Sequence, residues 1–151
     1  MIKKIKVLLT VFFSFFLIVE LNANELDNAA ACSGVVIGNA AVDYSLGDEN
    51  SFKEGVNLAI AAYLSQVLSS GSASEDVAVA DQILGSNTDK IINAANTETF
   101  DANTYEEVVH CYRMIALILL KNSSVIQNNQ RKIDALTKQK TNLLKRILSA
   151  G

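Results

Sequence analysis

The clearest chemistry in this chain belongs to its two cysteines, Cys32 and Cys111, which lie 79 residues apart. Outside the cytoplasm, a lone pair of this kind usually oxidises to one disulfide. On the chain-entropy model, closing a loop of that length stabilises the folded state by up to about 4.5 kcal/mol. We therefore predict a Cys32–Cys111 disulfide; the alternative is two free thiols in a cytosolic protein.

The only histidine, His110, adds no second centre of chemistry. Glu106 lies one helical turn before it, which is typical of a solvated histidine beside a carboxylate. A metal site would need distant ligands to converge and the Cys111 thiolate to stay free. Side chains of adjacent helical residues diverge by about 100°, so His110 is badly placed to activate Cys111 as a nucleophile. We predict no catalytic residue and no metal site.

Other catalytic motifs are missing from the sequence. The glycines form no phosphate-binding loop, and no serine sits in a nucleophile-elbow pattern. The neighbouring acids Glu106 and Glu107 fall at a predicted helix start, where they favour the helix dipole. We therefore expect that the protein is not an enzyme and that it binds no cofactor.

The first 23 residues have the layout of a Sec-type signal peptide. Three lysines precede an apolar run over 7–19, which is too short to cross a bilayer comfortably as a helix. Cleavage after Ala23 would release a periplasmic or secreted chain, 24–151. Two alternatives stay open: an uncleaved N-terminal anchor, and lipidation at Cys32.

Composition and spacing favour helices as the elements that position these residues. The chain has no proline and only seven glycines, and alanine and leucine are abundant. Four Ser/Asn-x-x-Glu/Gln spacings predict helix N-caps: Ser51 with Glu54, Ser72 with Glu75, Asn103 with Glu106, and Ser124 with Gln127. We predict an all-α bundle of four to six helices, with one helix-to-helix disulfide and a basic amphipathic C-terminal helix.

Apolar periodicity places the helices along the chain. We predict helices over about 25–44, 52–68, 75–84 and 104–121, a further turn or two over 89–95, and a last helix over 125–148. Gly85 is predicted to end the third helix, and Phe100 to anchor a polar loop. Whether residues 122–124 break the chain between the last two helices is left open.

The predicted first helix gathers small residues on one face: Ala30, Gly34, Gly38 and Ala41. Such a face lets another backbone approach closely, and the acids around it favour a soluble contact over a membrane dimer. Cys32 lies opposite, on a stripe that also carries Asn28, Asn39 and Asp43. That stripe predicts a disulfide near the surface.

The helix predicted over 104–121 is apolar around most of its second half. One face carries Tyr105, Val108, Val109, Tyr112, Ile115, Ala116 and Leu119. The rest forms a candidate partner surface: Met114, Leu117, Ile118 and Leu120. A helix that is apolar all round must be covered all round. We therefore predict that it lies at the centre of the bundle or docks a partner.

Charge is segregated along the predicted single domain, 24–151. Residues 24–122, the acidic body, carry fourteen acids against four Lys or Arg, whereas the basic helix 123–151 has a net charge of +5. Its candidate basic surface comprises Arg131, Lys132, Lys138, Lys145 and Arg146. Asn129 and Lys140 interrupt its heptad-like spacing, which argues against an autonomous coiled coil. The residues that keep this spacing are Ile126, Ile133, Leu136, Leu143 and Ile147. The helix either packs on the acidic body or extends from it.

These observations predict an exported, non-enzymatic binding or structural protein. We expect it to contact a protein partner, or a second copy of itself, through the apolar helix over 104–121 and the basic last helix. One alternative is a peripheral protein that binds anionic lipid through the last helix. Another is a small-ligand-binding or chaperone-like periplasmic protein. Nucleic acid is not expected as a partner, because the body is acidic and no aromatic residues interleave the basic ones.

Overall fold

The computed structural model describes residues 25–150, so the predicted signal peptide lies outside the described residues. Those residues form five helices: α1 over 25–45, α2 over Glu49–Ser70, α3 over Ser74–Asn96, α4 over Ala102–Lys121 and α5 over Ser123–Ala150. No strand is present between residues 25 and 150. The predicted all-α fold is confirmed, and a disulfide joins α1 to α4 as expected.

The central helix is α1, which is buried around its circumference. Its buried residues include Leu26, Ala29, Ala30, Cys32, Ser33, Val35, Val36, Ile37, Ala40 and Ala41. By contrast, α4 buries one stripe, Val108, Cys111, Ile115 and Ile118. The prediction that α4 occupies the centre is therefore wrong. Because α1 carries mostly small or β-branched side chains, several helices can approach it at once.

The small face of α1 contacts α3 at backbone distance, as predicted. A Cβ atom added to Gly38 would lie 2.8 Å from the Thr88 carbonyl oxygen and 2.7 Å from the Ile91 Cβ. One added to Gly34 would collide with the Leu84 carbonyl oxygen. The Thr88 hydroxyl donates to the Gly34 carbonyl at 3.1 Å. Only glycine fits at these two positions without displacing α3.

α3 continues through Gly85 to Asn96, so the predicted helix end at Gly85 is wrong. The predicted turns over 89–95 are the second half of this one helix. A mid-helix glycine costs roughly 1 kcal/mol relative to alanine. Packing against α1 on both sides of Gly85, through Ala80 and Ile91, outweighs that cost. The loop that follows is anchored by half-buried Phe100, as expected.

The predicted N-caps are wrong, because two helices begin earlier and use aspartates. The Asp48 carboxylate accepts from the Ser51 backbone N–H at 3.0 Å, and Asp101 accepts from Thr104 at 2.9 Å. These hydrogen bonds hold the pKa of both carboxyls below its usual range. Ser51 and Asn103 thus lie inside helices, α3 is preceded by Ala73 rather than capped by Ser72, and Ser124 lies within α5.

The disulfide between Cys32 and Cys111 lies in the core rather than near the surface. Its Cα atoms are 4.7 Å apart, and the two residues are 7% and 4% exposed. The disulfide holds α4 against α1 at Cys32, although the sequence places this residue on a polar stripe. Asn39 and Asp43 of that stripe are only half-buried, and Asn39 donates to Asp43 at 3.3 Å.

α5 packs along α2 after a break at Asn122. This residue is buried, and its side-chain amide donates to Ser65 Oγ at 3.3 Å and to Gln66 Oε1 at 3.0 Å. α5 also departs from helical dihedrals at Asn129. Asn129, one of the two residues that interrupt the heptad-like spacing, is thus also the site of a kink in the helix backbone. The last helix lies on the body instead of extending away.

Removing the disulfide should lower stability without changing the fold. We expect the double variant Cys32→Ala with Cys111→Ala to lose about 2–4 kcal/mol of unfolding free energy, because its unfolded chain is no longer constrained. Urea unfolding followed by circular dichroism measures the loss. As a control, a reductant should shift the wild type similarly and leave the variant unchanged. Equal unfolding midpoints for variant and wild type would refute a stabilising bridge.

The same glycine-to-alanine change should have opposite effects at two positions. Gly38→Ala should lower the unfolding free energy by about 1–3 kcal/mol, because its methyl group collides with α3. Gly85→Ala should raise it by about 0.5–1 kcal/mol, because its methyl group meets open space and the helix propensity improves. Thermal unfolding of both variants tests the packing of α1 on α3, and a Gly38→Ala variant at least as stable as the wild type would show that packing to be wrong.

Candidate binding groove

An open groove of about 500 Å³ lies between α3 and α5, with α2 beneath it. Its lining is mainly aliphatic: Ile37, Ile60, Leu64, Val67, Val77, Leu84, Leu136, Leu143 and Leu144. Ile37 and Ile60 are buried at its base, whereas the leucines and valines above them are half-buried or exposed. Half-exposed aliphatic side chains from neighbouring helices are typical of a contact site.

The α5 side of the groove arises because this helix carries two apolar stripes. Ile133, Thr137 and Thr141 are buried at four-residue spacing. Leu136 and Leu143, which the sequence places on one heptad-like seam with Ile133, lie on a different face of the helix and line the groove instead. The heptad interpretation therefore merged two faces of one helix. Leu143 is 42% exposed and Ile147, one turn on, is 59% exposed.

Polar groups lie on both sides of the groove, and they differ in charge. Asp81 and Asp89 line it from α3, and Lys140 lines it from α5. The Tyr63 hydroxyl donates to Asp81 Oδ1 at 2.6 Å. Burial, and then the bond to Asp81, raises the pKa of Tyr63 well above its ordinary value. Tyr63 is therefore a neutral hydrogen-bond donor at physiological pH.

The structure separates the four residues of the candidate partner surface on α4. Leu117 and Leu120 are 60% and 74% exposed, but Ile118 belongs to the core and Met114 is half-buried. A hollow of about 160 Å³ beside Leu117 is bordered by the ion pair between Lys121 and Glu25. This edge of α4 is thus narrower than the sequence predicted.

The candidate basic surface on α5 also divides. Lys145 Nζ lies 2.9 Å from Glu49 Oε2 and 5.8 Å from the centre of the Tyr44 ring, so it fastens α5 to the body. The hydrogen bond from Lys145 lowers the pKa of Glu49. The other members are exposed and form no ion pair within residues 25–150: Arg131, Lys132, Lys138 and Arg146.

The only histidine, His110, lies outside the groove. His110 is exposed beside Glu106 and Arg113 on the outer side of α4. No group of three or more His, Cys, Asp or Glu side chains within residues 25–150 is placed to hold a metal ion. In the same part of the chain, none of the helices combines the length and apolar character needed to cross a membrane.

The groove was not predicted from the sequence, because its existence depends on the distance between α3 and α5. Leu64 lies outside the apolar stripe that the spacing predicts for the second helix, which comprises Phe52, Val56, Ala59, Ile60, Tyr63 and Val67. The heptad-like spacing predicts that Leu136 and Leu143 share one seam with Ile133. A signal was nevertheless present: Leu136, Leu143 and Ile147 recur at helical spacing in an otherwise strongly basic segment.

The Cys32–Cys111 disulfide is compatible with an oxidising, exported environment. The groove between α3 and α5 places aliphatic side chains where another molecule can reach them. No protein-family model, curated protein or solved structure matches this chain.

Proposed function

We propose that this is an exported, non-enzymatic binding protein whose groove receives an amphipathic helix of another polypeptide. The observation that carries the proposal is the groove itself, about 500 Å³ lined by aliphatic side chains that no described helix covers. Amphipathic helices commonly dock by laying apolar side chains into such a groove, with charges at the rim selecting the partner. Export rests on the N-terminal pattern, and the disulfide is compatible with it.

The polar groups of the groove favour binding over catalysis. The Thr88 hydroxyl lies 3.1 Å from the Gly34 carbonyl oxygen and 3.0 Å from that of Leu84, and Tyr63 is bonded to Asp81. Hydroxyls committed in this way serve the fold and are poor nucleophiles. Ile118 is in the core, so we propose the groove as the partner contact instead of the surface predicted on α4. The last helix remains part of the proposed contact, because it forms one side of the groove.

Gly85 offers a direct test, because it lines the groove and an added Cβ meets no atom within 4 Å. We expect Gly85→Phe to fill the groove and weaken binding of the apolar dye N-phenylnaphthylamine by about tenfold or more. Dye fluorescence measures the affinity. An amphipathic leucine–lysine peptide should displace the dye from the wild type, whereas a polar peptide of equal charge should not.

Gly85→Ala is the matched control, since it also replaces the glycine with a better helix former but leaves the groove open. Its dye affinity should equal that of the wild type, as should that of Leu117→Ala on α4. Circular dichroism confirms that each variant is folded. If Gly85→Phe binds dye and peptide as the wild type does, the groove is not the binding site and the proposal fails.

A second candidate function is attachment to an anionic membrane surface, favoured by basic residues of α5 that form no ion pair within the described part of the chain, 25–150. Arg131 and Lys132 are exposed together, and Leu143 and Ile147 are exposed on the same helix. Juxtamembrane lysines and arginines contribute about 1 kcal/mol each to binding anionic lipid. Amphipathic basic helices use this attraction together with apolar insertion.

The lipid candidate predicts salt-sensitive sedimentation with phosphatidylglycerol vesicles and none with phosphatidylcholine vesicles. Arg131→Gln with Lys132→Gln should reduce the bound fraction about tenfold or more, because two attractions of about 1 kcal/mol are lost. Arg113→Gln, which removes an exposed charge from α4, is the control. Binding that ignores salt, or that survives the double substitution, would rule this candidate out.

A further inference from the structure

We propose that the helix received by the groove is α5 of a second copy of this chain, giving a two-fold symmetric dimer. This inference rests on the groove function proposed above and names its occupant. It starts from charge that the fold leaves unpaired. Residues 123–151 have a net charge of +5, yet within residues 25–150 only Lys145 of α5 forms an ion pair with the body.

The two sides of the groove carry opposite charges. Asp81 and Asp89 line it from α3 and Lys140 lines it from α5. Lys140 thus supplies the positive charge of the α5 side, and Lys90 of α3, held 2.6 Å from Glu107, does not offset the negative side. A two-fold axis that runs along the groove brings the grooves of two copies face to face. This rotation places α3 of each copy against α5 of the other. Asp81 and Asp89 of each copy then face Lys140 of the other, so these facing charges are opposite in sign.

The apolar residues of α5 match the same arrangement. Leu143 and Ile147 project at one-turn spacing and are 42% and 59% exposed, with Leu136 two turns before Leu143. Apolar anchors at this spacing are what a hydrophobic groove receives from a docked helix. Each chain therefore holds both the groove and a helix that fits it. In a two-fold dimer, each copy offers its groove to the other copy and its α5 to the other copy's groove. Such an interface uses the same surface of both copies.

Charge reversal at the two sides of the groove tests this pairing. Lys140→Glu places like charges across the interface, and so does Asp89→Lys. Each variant alone should weaken self-association on the order of a hundredfold, because like charges facing each other in an interface are strongly repulsive. An equimolar mixture of the two should dimerise again, since every facing pair is then opposite in sign. Size-exclusion chromatography with light scattering and sedimentation equilibrium measure this.

The matched control is Arg113→Glu, a reversal of an exposed charge on α4 that should leave the dimer unchanged. Gly85→Phe should give a monomer, because the groove is filled. A wild-type protein that stays monomeric from micromolar to millimolar concentration overturns the dimer. So does a dimer that survives both charge reversals, or separate variants that fail to recover on mixing.

Failure of the dimer is distinguishable from failure of the groove. If the wild type is monomeric but Gly85→Phe still abolishes dye and peptide binding, the groove function stands and its occupant is another polypeptide. If Gly85→Phe alters neither dye binding nor self-association, both proposals fall together.

Discussion

The close contact between α1 and α3 is the constraint on which the rest of the structure depends. Gly34 and Gly38 let the two backbones approach to a distance that any side chain would prevent. α1 can then be covered by α3 on one side while the disulfide holds α4 against it. The close approach of α3 to α1 also sets the distance between α3 and α5. A bulkier α1 would move α3 outward and change the width of the groove.

Buried polar side chains link the helices that surround α1. They also fix the start of α5, which forms the second side of the groove. Ser33 donates to the Ala59 carbonyl at 2.9 Å, which links α1 to α2 without an unpaired hydroxyl. Asn122 bonds to Ser65 and Gln66 of α2 where α4 ends. Because this corner is buried, α5 starts against α2 and returns along it. The groove therefore depends on a single well-bonded amide at the turn that precedes α5.

Helical character, the cysteine pairing and the close-approach face of α1 follow from composition, spacing and side-chain size. The continuation of α3 past Gly85 did not, because its packing on α1 outweighs the helix cost of one glycine. The choice of central helix was also missed: α1 and α4 are both apolar, and side-chain volume, not hydrophobicity, decides which can be surrounded. The groove itself requires the distance between two helices, which no single segment encodes.

The Cys32–Cys111 disulfide divides the helices into those that lie within the closed loop and one that lies outside it. The cross-link closes a ring from residue 32 to residue 111, and α2 and α3 lie wholly inside it, whereas α5 lies wholly outside. One side of the groove, α3, thus belongs to the loop that the disulfide closes. The other side, α5, lies outside this loop and is held on the body by non-covalent contacts. Detachment of α5 requires no opening of the ring, so this tail can unfold locally while the cyclic part stays intact.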